Sequence, residues 1–193
     1  MKMFLIVATA LIGLSAGMAQ AAKAIGADRI ISAATGDWDK DGNADLALLV
    51  AADENSGDDH SVYIYLHDDE AGRLTLKTVA ANKVWGNLGI AGQRPFLTAL
   101  PNGSLLITSH NESIGRDRWE QKLTVAYRNS DFVVAGYTYT SYDTLDPDNQ
   151  TDCDFNVMTG KGTAKSKPVA AKGETVLLRD WSDDRGQTAC GNG

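Results

Sequence analysis

The stretch Gly36 to Val50, GDWDKDGNADLALLV, carries aspartates at alternating positions and then turns apolar. Counted from Asp37 as the first position, Asp39 is third, Asp41 fifth, Gly42 sixth, Asn43 seventh and Asp45 ninth. Carboxylates at odd positions of one loop can all turn inward, and hard cations such as calcium take six to eight oxygen ligands. Gly42 supplies a sharp turn that a residue with a side chain resists, and Asn43 can offer its backbone carbonyl. Without a cation, each close carboxylate pair costs about 1 kcal/mol even in water-like surroundings. The spacing therefore predicts a calcium loop with Asp37, Asp39, Asp41, Asn43 and Asp45 as ligands; the competing reading is a solvated acidic turn.

Other residue types give weaker chemistry. The segment LDPDNQTDCD gathers Asp146, Asp148, Asn149, Asp152 and Asp154 but lacks a glycine at the turn, and reads as a solvated loop beside Cys153. SGDDH and HDDE, at Ser56–His60 and His67–Glu70, read as acidic turns. The three histidines, His60, His67 and His110, show no zinc-ligand spacing. A G-x-S-x-G elbow and a phosphate loop are missing as well. Trp38, Trp85, Trp119 and Trp181 could stack on sugars if exposed together, but core packing is the commoner use. Trp38 sits at an even position of the loop, so its side chain is expected to point away from the ion.

The elements that position these residues read as strands. In SVYIYLHD, Val62, Ile64 and Leu66 alternate with Tyr63 and Tyr65, and RLTLKTVA alternates Leu74 and Leu76 with polar residues. FLTALPNGSLLITS is two runs joined through Pro101-Asn102-Gly103, the turn chemistry of a hairpin. QKLTVAYRNSDFVVAGYTYT makes a longer hairpin with its break at Arg128–Asp131. DFNVMTGKG and ETVLLRDW are expected to supply the closing strands, with a loop between them, and KVWGNLGIAGQRP reads as a loop. The fold class that follows is all-β, built from antiparallel meanders, with no place for a long helix.

The residues IISAATGDWDKDGNADLALLV, 30–50, resemble the calcium loop of FG-GAP repeats, also called VCBS or integrin-α-like repeats. That family lays out a short strand, then G-D-x-D-x-D-G-x-x-D-L, then an apolar strand. The resemblance implies Asp37, Asp39, Asp41 and Asp45 as side-chain ligands, Asn43 as a main-chain ligand, and Leu46 as the start of the strand that pins the loop. It also implies a β-propeller blade, a structural calcium ion, and roles in recognising proteins or glycans. An EF-hand or a dockerin-type loop is excluded, because position twelve, where a bidentate Glu is required, is Leu48. The sequence holds one clear copy, whereas propellers generally need four or more blades of about 40 residues. A blade-like unit or a small sandwich is thus expected rather than a closed ring.

The chain of 193 residues opens with Lys2, an apolar run from Phe4 to Leu14, and Ala19-Gln20-Ala21, the layout of a secretory signal peptide over 1–21. A membrane anchor is the rival reading; cleavage is preferred because the apolar core is short and an A-x-A site follows. The remaining 22–193 fits one domain, expected in the periplasm or outside the cell with no membrane span after cleavage. The net charge of −7 becomes −8 without Lys2, which argues against a nucleic-acid partner. Two cysteines in an exported chain, Cys153 and Cys190, read as one disulfide stapling the tail to the body.

Two functions are compatible with this sequence. The first is a non-enzymatic, calcium-stabilised binding protein of the cell envelope, with a protein or glycan partner. The alternative is an envelope hydrolase using a carboxylate pair drawn from Asp131, Asp152 and Asp154 as acid and base.

Overall fold

A computed structural model of the chain describes residues 24–191. The expected signal peptide, 1–21, lies outside the described residues. The first four strands, β1 (Ile30–Gly36), β2 (Asp45–Val50), β3 (His60–Asp68) and β4 (Arg73–Val84), form one antiparallel sheet in chain order. A second sheet holds β5 (Phe96–Ala99), β6 (Leu105–Asn111), β7 (Asp117–Arg128), β8 (Asp131–Asp143), β9 (Gln150–Asn156), β10 (Lys161–Ala164) and β11 (Lys167–Ala170), again in chain order. A short helix, α1 (Asp183–Ala189), follows.

Both sheets are open, and they share one core. Ala47, Leu49, Val62 and Ile64 from the first sheet pack in the same buried cluster as Leu105, Ile107, Leu123, Val125 and Phe132 from the second. The fold is therefore all-β and antiparallel, two sheets face to face, with neither closed into a barrel or ring. Of the two expected forms, blade-like unit or small sandwich, this is the sandwich: a four-stranded meander and a seven-stranded one. The sheets also touch at their edges: the Leu97 amide of β5 donates to Ser32 Oγ of β1 at 3.0 Å.

Hairpin turns appear where the sequence predicts them. Leu100 and Ser104 close the β5–β6 turn through a 2.8 Å bond, with Gly103 at positive φ. Asn129 and Ser130, both at positive φ, make the two-residue β7–β8 turn, whose twist matches that of the flanking strands. In β3, Val62, Ile64 and Leu66 are buried and Tyr63 and Tyr65 face outward, as the alternation predicts.

Three expectations are corrected. Leu74 and Leu76 are exposed, at 38% and 45%. The β3–β4 register shifts between Ile64↔Thr78 and Tyr65↔Leu76, and a one-residue shift turns every later side chain to the other face. Leu76 thus lies beside outward-facing Tyr65, and Thr78 and Ala80 take the buried places. DFNVMTGKG is not one strand: it ends β9 at Asn156, turns over 157–160 and opens β10 at Lys161, and the loop expected after it holds the β10–β11 turn at Lys165-Ser166, both at positive φ, and β11. ETVLLRDW forms no full strand: Leu177 makes one bridge to Val133, and a 3-10 turn follows at Leu178–Asp180.

Candidate metal centre

The β1–β2 connection begins after Gly36 and ends at Asp45, which face each other as the last pair of the ladder. Asp45 opens β2, one residue earlier than expected for the strand that pins the loop. Its carboxylate is 1% exposed and works from both oxygens: Oδ2 accepts the Trp38 amide at 2.8 Å and Oδ1 accepts the His67 amide at 3.0 Å. One side chain thereby ties the loop, its own strand and the end of β3 together. Along the loop, Asp37 Oδ2 accepts the Gly42 amide at 3.1 Å, Asp39 Oδ1 the Asp41 amide at 3.3 Å, and Asp41 Oδ1 the Asn43 amide at 2.7 Å. Gly42 sits at φ 93°, the left-handed conformation that this turn demands and that a Cβ disfavours.

The structure brings three of the four predicted aspartates together. Asp37, Asp39 and Asp45 each place a carboxylate oxygen within 4.8 Å of the others. Asp41 falls instead into a second group, with His67 and Asp69, at the same separation. Asn43 belongs with the second group: its backbone amide donates to Asp41 Oδ1 and its side-chain amide donates to Asp69 Oδ1 at 3.0 Å. Burial raises the Asp39 carboxyl above its ordinary value; the Asp41 amide opposes this, and the charges of Asp45, Asp41 and Asp37 reinforce it. Asp41 is lowered, chiefly by the hydrogen bond from the Asn43 amide. Three converging carboxylates, one of them buried, fit a hard divalent cation, because a bound ion would relieve the repulsion that bears on Asp39. Each Asp45 oxygen keeps a lone pair beyond its amide bond.

His67 and Asp69 were not legible as neighbours of this loop. HDDE reads as a separate acidic turn, and only the ladder pairing Leu46 with Tyr65 carries the end of β3 to the loop. The Trp38 ring is 2% exposed, turned into the core, and packs edge-on against Phe132 of β8 with centroids 6.2 Å apart.

The remaining candidates are distributed over the fold. Cys153 on β9 and Cys190 at the end of α1 form a disulfide, with Cα atoms 5.8 Å apart. Part of the segment expected as a solvated loop beside it, Gln150–Asp154, is strand β9, with Asp152 and Asp154 outward and Cys153 inward. Trp181 is buried, while Trp85 and Trp119 are half-buried and pack on each other with centroids 4.9 Å apart. The candidates of the hydrolase reading are divided. Asp131 opens β8, about 23 Å along the strand from Thr138, which faces Asp154, while Asp152 and Asp154 stand two residues apart on the exposed face of β9, roughly 7 Å at ~3.3 Å per residue. Burial pushes the Asp131 carboxyl up, but its ion pair with Arg179 at 2.8 Å and the Phe132 amide outweigh this and hold it low, the wrong direction for a general acid.

Among known proteins, no family model matches the chain, and no curated protein matches it. One solved structure, described as a Xanthomonas type IV secretion system related protein, is similar at 18% identity with a TM-score of 0.40. The match covers 70% of this chain and 58% of that one. Among the described residues, no helix is long and apolar enough to cross a membrane.

Proposed function

We propose that the chain is an exported, non-enzymatic binding protein of the cell envelope whose β1–β2 loop is held by calcium. The observation that carries this reading is the convergence of Asp37, Asp39 and Asp45 in a loop anchored to the core through Trp38. In an FG-GAP-like cage these three carboxylates and the Asn43 carbonyl are ligands, and Asp41 joins them by leaving His67 and Asp69. The ion then fixes the loop and the start of β2, so that the sheet presents a rigid surface to a protein or glycan. The disulfide supports the extracytoplasmic setting, since such bonds persist in oxidising compartments.

Thermal unfolding of the mature protein in excess calcium and in chelator tests the reading. A cation at about 100 times its dissociation constant stabilises by ~2.7 kcal/mol, a rise in Tm of roughly 5–10 °C for a chain of this size. Superimposable melts in calcium and chelator would remove the calcium site from the proposal.

A further inference from the structure

A cleft of about 480 Å³ opens between α1 and the β9–β11 end of the larger sheet. Its floor is apolar, formed by Phe155, Val157, Val176 and Trp181, each at most 7% exposed. Small residues, Ala170, Ala171 and Ala189, line the walls where larger side chains would have filled the space. Voids in protein interiors seldom exceed a water molecule, whereas ligand pockets run to about 300–1,000 Å³ with apolar linings and a few polar groups.

The wall made by α1 is tethered at both ends, although the helix has only 7 residues, too few to persist alone. The disulfide holds its end at Cys190, and Trp181 Nε1 donates to Asp183 Oδ1 at 2.8 Å at its start. Gly186 sits against the Tyr137 ring so closely that a Cβ would lie 2.6 Å from ring carbons. Arg185 meets Glu174 across the cleft at 2.9 Å. The cleft is therefore preformed.

Charge at the rim selects the occupant. Glu174 and Arg185 satisfy each other, but Lys172 on the sheet side and Asp184 on the helix side form no ion pair among the described residues. We infer that the cleft binds a polypeptide segment of a partner protein, with one large apolar side chain in the floor, an acidic residue toward Lys172 and a basic residue toward Asp184. A simple amphiphilic anion would leave Asp184 unmatched, and a glycan would leave the apolar floor unfilled. This inference rests on the binding-protein reading above and names the chemistry of its partner.

The test is titration of the mature protein, in saturating calcium, with acetyl-Glu-Phe-Lys-amide, followed by backbone amide and Trp181 indole N–H NMR shifts. The expected result is a saturable response confined to α1, β9, β11 and the segment 171–181, at least tenfold weaker for acetyl-Glu-Ser-Lys-amide. Ala189→Trp, which fills the cleft, should abolish it, and Lys172→Glu should weaken it several-fold; Thr188→Trp replaces the first variant if that one does not fold. Equal responses to the Phe and Ser peptides, binding that survives the filled cleft, or benzyl alcohol binding as tightly as the peptide would each overturn the inference. Melts of the same samples in chelator separate the two ideas. Lost peptide binding with retained calcium stabilisation removes only the cleft, and the reverse result removes only the metal.

Discussion

The β1–β2 loop and the C-terminal tail meet the same difficulty by different means. Each is irregular chain at the margin of the sandwich, and each sinks one tryptophan, Trp38 or Trp181, into the shared core at 2% exposure. Beyond that anchor they diverge. The loop is organised by carboxylates accepting nearby amides, with partners mostly within a few residues. The tail is organised by a covalent bond spanning 37 residues. The difference is one of reach: the loop is held by bonds among near neighbours, the tail by a link to a distant strand, and on the proposed reading only the loop depends on its ionic surroundings.

The largest expected effect comes from the anchor of the conditional region. Trp38→Ala should destabilise by about 3–5 kcal/mol, the range for large aromatics removed from a core. It should also flatten the calcium response in paired melts; a full calcium response in this variant would show that loop and core are independent. Cys190→Ser, with Cys153→Ser to avoid a free thiol, should lose about 4 kcal/mol on the chain-entropy model. Hydrogen exchange should quicken in α1 and leave β1 and β2 protected, while the calcium response persists.

Asp45→Asn sharpens the comparison at a smaller scale. An amide side chain has one acceptor oxygen for two waiting amides, Trp38 and His67, and an unmatched buried group costs about 1–3 kcal/mol. Urea titration in chelator isolates this loss from any loss of a ligand. The smallest effect has the most telling sign. Asp39 is raised in the fold, first by burial, so above both its folded and unfolded pKa values its ionised form weakens folding, and this penalty disappears as pH falls through the folded value. Asp39→Asn should therefore slightly raise Tm at pH 7 in chelator and lower it in calcium. A shift of the same sign in both conditions would break the proposed link between repulsion and ion binding.

Much of the architecture was legible because hairpins are local. Pro101-Asn102-Gly103 and Arg128–Asp131 announce their turns by composition, and the β3 alternation is carried by adjacent residues. What escaped depends on partners remote in sequence. The exposure of Leu74 and Leu76 follows from a register shift opposite Ile64 and Tyr65, which no pattern within RLTLKTVA records. The loop aspartates were legible as a set by spacing, but the separation of Asp41 from Asp37, Asp39 and Asp45 depends on His67 and Asp69 arriving from β3 and the turn beyond it. Likewise the apolar residues of ETVLLRDW, Val176, Leu178 and Trp181, are buried by packing on β4 and β8 rather than in a ladder of their own.

Strand order in both sheets repeats chain order, and this bears on how the molecule is made. Each ladder grows by adding the next hairpin, so the first sheet can complete its pairing once the chain has reached Val84, before the second sheet exists. Such short-range wiring lowers contact order and speeds folding relative to interleaved β topologies. The steps that must wait are the docking of Trp38 on Phe132 and the closure of Cys153 on Cys190. A chain emerging from its amino end would thus pair its first sheet while its acidic loop still awaited the Trp38 anchor and its last covalent link was still to be made.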